Sequence, residues 1–164
     1  MIFQDNERPI KAIAAMSINR VIGNDEEIPW HLPEDFKWFK ECTLNQVVVM
    51  GRVTFESIGK PLPKRETVLV SRSAKAADYP GMSILRDPEQ VTQIDTDKEI
   101  WICGGAEIYE ATLPLWSELY LTVVKQKVKG DTYFPAFEPF FERPETLREN
   151  EDMIIYRFLA RSSQ

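Results

Sequence analysis

The chain has 164 residues, 43% of them hydrophobic and 28% charged, with a formal net charge of −6. That length suits one hydrophobic core, and the composition excludes disordered, fibrous and membrane-embedded classes. The acidic balance argues against a protein held to nucleic acid by phosphate attraction, and no apolar run approaches the roughly 20 residues that a spanning helix needs.

In chain order, the run 10–16 is small, branched and apolar, and predicts a buried first strand. A long irregular segment leads to a helix predicted over 33–42, where Pro33 suits the first position and Glu34 and Asp35 bring negative charge to the first turn. Strands predicted at 46–50, 67–70 and 100–103 alternate with helices at 53–58, 88–94 and 106–113. After Trp116 the pattern changes to strands at 119–124 and 153–159, with short turns at Lys129-Gly130-Asp131 and Asn150-Glu151-Asp152. The expected fold is α/β: a single domain with a mixed, mostly parallel sheet of about eight strands, antiparallel in its C-terminal part, flanked by about four helices.

Cys42, Cys103 and the lone His31 have neither disulfide nor metal-ligand spacing. Reduced, mostly buried thiols and no metal site are expected, and with no targeting pattern at the N-terminus the default location is cytoplasmic.

Four segments carry candidate chemistry. On the helix over 33–42, Asp35, Phe36 and Phe39 can share a face, so a carboxylate would stand beside two rings and could grip a flat heterocycle. An ordinary acidic first turn followed by core aromatics accounts for the same residues. Gly51-Arg52-Val53-Thr54 joins a strand to a helix and could bind phosphate, or could be a turn with a solvated arginine. Gly104-Gly105 lies between a buried strand and the next helix and permits close backbone approach to a ligand, without the full dinucleotide fingerprint. Ser71-Arg72-Ser73 ends another strand, where ligands gather in α/β sheets.

Together these segments resemble the bacterial, chromosomal type of dihydrofolate reductase. The resemblance runs from about Ile10 to the C-terminus and is carried by Ile22-Gly23, Pro29-Trp30-His31-Leu32-Pro33-Glu34-Asp35, Met50-Gly51-Arg52 with Thr54 and Glu56-Ser57-Ile58-Gly59, Pro61-Leu62-Pro63, Gly104-Gly105-Ala106 with Tyr109, and Gly130-Asp131-Thr132 with Phe134-Pro135. It implies an enzyme that reduces 7,8-dihydrofolate to 5,6,7,8-tetrahydrofolate with NADPH, by hydride transfer to pterin C6 with N5 protonated. It also implies a monomer that takes antifolate inhibitors and no nucleic acid or membrane partner.

By this resemblance Asp35 is the pterin anchor, the proton-delivering water lies beside Ile28 and Asp35, and Trp30 joins them among the catalytic residues. Substrate contacts would come from Ile13, Ala14, Phe36, Phe39, Lys40, Ile58, Leu62, Cys103, Tyr109 and Thr122, and from Arg65 at the glutamate tail. The cofactor would meet Ala15 and Ile22 near the nicotinamide, Gly51, Arg52, Val53, Thr54 and Ser57, the 2′-phosphate contacts Arg52, Ser71 and Arg72 with Ser73 next to them, and Cys103, Gly104, Gly105, Ala106, Glu107, Ile108 and Tyr109. Residues 23–32 resemble a loop that closes over the nicotinamide. Residues 1–9 read as an N-terminal extension to a domain over 10–164.

Two positions depart from the family's commonest pattern. Lys64 stands where glycine is frequent, and Val53 follows Arg52 where some members are basic. His31 is expected to be a partly exposed loop residue rather than a proton donor. The competing readings are the pyrimidine reductase of riboflavin synthesis, opposed by Trp30, Asp35, Phe39 and Arg65, and a non-catalytic binding module, opposed by the intact carboxylate and paired glycines.

Overall fold

The first apolar run forms β1 (Ile10–Ser17), which lies inside the sheet and not at its edge. The protein is seen in a computed structural model that describes residues 9–24 and 28–162. Parallel neighbours flank β1 on both sides, β6 (Ile100–Ile102) and β7 (Trp116–Val124). Beyond β6 the parallel pairing continues through β3 (Val47–Gly51), β4 (Glu66–Val70) and β5 (Ser83–Leu85). Beyond β7 come β10 (Met153–Leu159) and β9 (Glu145–Glu149), each joined by antiparallel pairing. The order is therefore β9-β10-β7-β1-β6-β3-β4-β5, and β10 alone runs against the rest. A separate small ribbon pairs β2 (Val21–Gly23) with β8 (Thr132–Tyr133).

Strands buried on both faces carry the continuous apolar runs: every side chain of Val47-Val48-Val49-Met50 is buried. The strands absent from the sequence reading are short or polar. β2, β5 and β8 have two or three residues, and β9 reads Glu-Thr-Leu-Arg-Glu because it is an exposed edge with only Leu147 turned inward. Charged edges discourage pairing with another chain.

Three α-helices occur among the described residues: α1 (Pro33–Thr43), α2 (Arg52–Ile58) and α3 (Ala106–Thr112). Pro33 occupies the start of α1 as its fixed φ favours, and α2 stops at Gly59, whose φ of +91° suits a residue without Cβ. The helix expected over 88–94 is instead a 3-10 helix, Pro88–Gln93, capped reciprocally by Asp87 and Gln90. It buries only Val91, too little apolar surface to sustain a longer amphipathic turn.

In the core, Phe134 stacks on Trp116 while Tyr109 meets both edge to face, and Phe137 meets Phe134, Phe141 and Phe158 edge to face; the Phe137 and Phe158 centroids are 4.9 Å apart. A second aromatic row fixes α1. Trp38 of α1 meets Tyr120 at 6.4 Å, and Tyr120 meets Trp101 at 5.1 Å. Arg148 lies 4.6 Å over the Trp38 ring and Lys11 5.3 Å over that of Trp101. Each such cation contact adds about 0.5–1 kcal/mol at an exposed site.

Candidate active site

Parallel strands bring their carboxyl ends to one edge, which places Gly51, Ser71 and Cys103 together with the segments that follow them. Such an edge is where α/β sheets bind ligands.

Asp35 lies in the first turn of α1, with its N–H donating to the Leu32 carbonyl at 3.0 Å. Its carboxyl group is partly buried. Burial pushes it above the usual carboxylate range, and a hydrogen bond with the Thr122 hydroxyl opposes that shift. Thr122 is itself buried on β7, in register with Ala15 of β1. The Asp35 charge also helps to hold the buried Tyr109 phenol above its ordinary pKa, after the larger effects of burial and Cys103. Phe39 is half-buried, whereas Phe36 stays 45% exposed and Ile58 39% exposed. Unpacked rings and branched chains on helices beside a carboxylate make an apolar wall for a flat ligand.

Ile13 and Ala14 are buried in β1, and Ala15 and Ile22 are half-buried. Trp30 is half-buried and Ile28 is 55% exposed. The part of the closing-loop expectation that falls on Asp25-Glu26-Glu27 lies outside the described residues, as does the N-terminal extension through residue 8. His31 is exposed, with its ring 5.7 Å from that of Phe36.

The two glycine turns are tied to each other: Gly51 N–H donates to the Gly104 carbonyl at 2.9 Å. Gly104 has φ +114°, and a Cβ there would lie 3.4 Å from the Tyr109 ring. The Gly104-Gly105 peptide is cis. A Cβ on Gly105 would come within 3.1 Å of Thr54 Oγ1, and one on Gly51 within 3.1 Å of Ile108 Cγ1. The result is a side-chain-free cradle of the kind a dinucleotide requires, and these residues fit one. Ile108 is buried against the cradle as a support, Ala106 is half-buried and Glu107 exposed.

Other cofactor candidates divide by whether their polar atoms are engaged. Ser57 Oγ donates to the Thr54 carbonyl at 2.9 Å, and Ser71 Oγ accepts from the N–H groups of Ser73 and Ala74. Both hydroxyls therefore shape turns, while Arg72 and Ser73 are exposed. Arg52 Nη1 contacts Glu56 Oε1 at 2.9 Å, and the Tyr79 hydroxyl donates to Glu56 Oε2 at 3.0 Å. Val53 is 43% exposed beside it.

On the other flank, Arg65 is oriented through Nε to the Pro63 carbonyl at 3.0 Å and through Nη1 to Thr43 Oγ1 at 3.3 Å. Lys64 adopts φ 60°, the left-handed region that accounts for glycine being frequent there, and its carbonyl accepts from Asn45 N–H at 2.7 Å. Leu62 is half-buried and Lys40 exposed. Thr43, Glu56 and Tyr79 were not among the sequence-predicted site residues: Glu56 stood in a motif with no role attached, and Thr43 and Tyr79 in none, yet Thr43 contacts Arg65 and Tyr79 reaches Arg52 through Glu56.

Neither thiol is activated. Burial pushes Cys42 up to about 12, with Glu41 next in effect, and pushes Cys103 up as well. Among the described residues no group of three His, Cys, Asp or Glu side chains could hold a metal. No helix among them is long and apolar enough to cross a membrane. Two shallow hollows of about 240 and 330 Å³ border Glu34, Asn150 and Met153, and Asp35 lines neither.

The comparisons agree with this geometry. The family model described as dihydrofolate reductase matches residues 9–160. The chain is 39% identical over 130 residues to the Bacillus subtilis dihydrofolate reductase, covering 79% of this chain and 77% of that one. It is 42% identical over 124 residues to the Haemophilus influenzae dihydrofolate reductase, covering 75% and 76%. The dihydrofolate reductase from Enterococcus faecalis, solved in complex with NADP(H) and RAB-propyl, superposes with a TM-score of 0.82 at 27% identity over 94% of this chain and 97% of that one. With a partly buried carboxyl on α1, a glycine cradle at the sheet's carboxyl edge, and these relatives, the chain belongs to the dihydrofolate reductase family.

Proposed function

We propose that Asp35 anchors the pterin, and that the glycine cradle and its neighbouring arginines hold NADPH, in the family's reduction of 7,8-dihydrofolate to 5,6,7,8-tetrahydrofolate. The observation that carries the assignment is the Asp35 carboxyl: partly buried, fixed by Thr122, and within electrostatic reach of Tyr109 beside the cradle.

A carboxylate so placed can accept two parallel hydrogen bonds from an aminopyrimidine edge, which fixes the orientation of the whole ring. Bound NADPH supplies the hydride that goes to pterin C6. Asp35 then favours a proton on N5, because its charge in a partly dehydrated site offsets the cation that forms there. Phe36, Phe39 and Ile58 flank the ring, Leu62 extends the wall, and Arg65 takes the glutamate carboxylate in a fork. Gly51, Gly104 and Gly105 admit the cofactor backbone, and Arg52 and Arg72 bind its 2′-phosphate. Trp30 and Ile28 border the route by which water brings the proton. Antifolates carrying the same aminopyrimidine edge compete for Asp35. In this reading the protein acts as a cytoplasmic monomer, with residues 10–164 forming the catalytic domain.

The test is NADPH oxidation by the purified protein with and without dihydrofolate, alongside Asp35→Asn. Substrate-dependent oxidation that the substitution removes is the expected result. Oxidation that survives it would take the anchor away from Asp35.

A further inference from the structure

Arg52 carries a charge that its own helix does not favour. It opens α2, where a cation opposes the aligned peptide dipoles, and the first turn of α2 contains no acidic residue. It also precedes Glu56 by four residues, the weaker of the two orders for an ion pair on a helix. Helix stability therefore does not account for the pair, and breaks in local consistency concentrate where a residue serves function.

Glu56 is held from outside the helix. Tyr79, which follows the 3-10 helix Ala76–Asp78, donates to Glu56 Oε2 at 3.0 Å while Oε1 takes Arg52 Nη1 at 2.9 Å. The Tyr79 ring stands edge-on to Phe55, the buried residue of α2, with centroids 5.8 Å apart, so packing aims the hydroxyl. The Tyr79 bond, followed by that from Arg52, keeps Glu56 below the usual carboxylate range. Among the described residues Arg52 is bound through Nη1 alone, which leaves its Nε and Nη2 donors for an anion.

We infer that Glu56, steered by Tyr79, is a positioning residue for Arg52: it turns the guanidinium so that its remaining donors meet a phosphate monoester, and thereby sets the preference for a cofactor with a 2′-phosphate over one without. The inference rests on the reading that Arg52 contacts that phosphate. The opposite role for the same contact is competition, in which the carboxylate repels the phosphate and its removal tightens binding. The two differ in sign.

The experiment measures dissociation constants of NADPH, NADH, 2′,5′-ADP and 5′-AMP for the full chain and for Glu56→Ala, Glu56→Gln, Tyr79→Phe and Arg52→Ala. One oriented hydrogen bond corresponds to a change of about three- to tenfold. Glu56→Ala is expected to weaken NADPH and 2′,5′-ADP by that factor and to leave NADH and 5′-AMP unchanged. Glu56→Gln, which keeps an acceptor for Arg52, restores most of the loss, and Tyr79→Phe weakens the same two ligands less. Tighter NADPH binding in both Glu56 variants would establish competition and overturn the inference, as would no change in either. If Glu56→Ala does not fold, Tyr79→Phe decides: weaker NADPH and 2′,5′-ADP binding with NADH and 5′-AMP unchanged upholds the inference, and tighter or unaltered binding of the first two overturns it. An Arg52→Ala variant with unaltered discrimination would defeat the phosphate reading itself, whereas loss there with no effect at Glu56 and Tyr79 defeats only the positioning.

Discussion

The Thr43 hydroxyl joins two parts of the proposed substrate site, donating to the Phe39 carbonyl at 2.8 Å and accepting from Arg65 Nη1 at 3.3 Å. Thr43 is fully buried at the end of α1, so the orientation of Arg65 is tied to the helix that carries Asp35 and Phe39. Thr43→Val keeps the shape and deletes both bonds. The expected outcome is a rise of about three- to tenfold in KM for dihydrofolate with little change in kcat, and a stability loss of about 1 kcal/mol. A dihydropterin substrate without the glutamate tail separates the two effects, because its KM should not move. Equal increases for both substrates would show that Thr43 acts on the pterin pocket instead.

The role proposed for Asp35 runs against stability. Burial, its largest influence, raises its affinity for a proton in the folded state. The folded chain therefore binds more protons than the unfolded chain between the usual carboxylate pKa and the raised one, and stability falls as pH climbs through that window. Above the raised value the full cost is present. Asp35→Asn should raise Tm at pH 7, with a smaller gain below the usual carboxylate range, while lowering the rate of hydride transfer about a hundredfold or more. Thermal unfolding at the two pH values and single-turnover kinetics read these separately. A lower Tm at pH 7 would mean that the bond to Thr122 outweighs burial.

Gly130 is fixed by space. A Cβ at this position would lie 2.2 Å from Val21 Cγ1 and 2.7 Å from the Gly23 carbonyl oxygen. Gly130→Ala should separate β2 from the turn before β8 and destabilise the protein by about 1–3 kcal/mol. Val21→Ala in the same chain removes the first clash and leaves the second, so partial recovery is expected in denaturant unfolding. Complete recovery would assign the whole cost to Val21.

Gly104 offers a test of the cradle. Its φ of +114° disfavours any side chain, and an added Cβ would meet the Tyr109 ring at 3.4 Å. Tyr109 cannot easily yield, since its hydroxyl donates to the Ile13 carbonyl at 2.7 Å in the interior. Gly104→Ala is expected to weaken NADPH binding about tenfold or more, measured by fluorescence titration, because displacement of the turn would be transmitted to the Gly51 contact. Unaltered affinity in a folded variant would place the cofactor away from this turn.

The sequence was most legible where burial is complete on both faces. The runs that became β1, β3, β4 and β6 could be read directly because parallel strands of this kind need uninterrupted apolar residues. β9 escaped notice because an exposed edge selects for charge, and β2 and β8 because two or three residues establish no period. The 3-10 helix Pro88–Gln93 carries sound capping signals but lacks the apolar face that would extend it. At the site, Asp35, Arg65 and the paired glycines could be named from motifs. Their supports could not: Thr43 is 22 positions from Arg65, and Tyr79 is 23 from Glu56. Such partnerships exist only after the chain has closed.

The position of β1 also governs the order in which the protein can be made. Ile10 pairs with Ile100 and Trp116, and Ser17 with Val124, so a segment synthesised before every other strand of the sheet occupies its middle, between strands made much later. Until those strands emerge, both hydrogen-bonding edges of an apolar strand have no permanent partner, a hazard for self-association. Pairing at such sequence separation is intrinsically slow. Nascent chains arrested with residues up to 115 outside the exit tunnel should remain open to proteolysis along β1, and chains exposed beyond Val124 should acquire protection in one step.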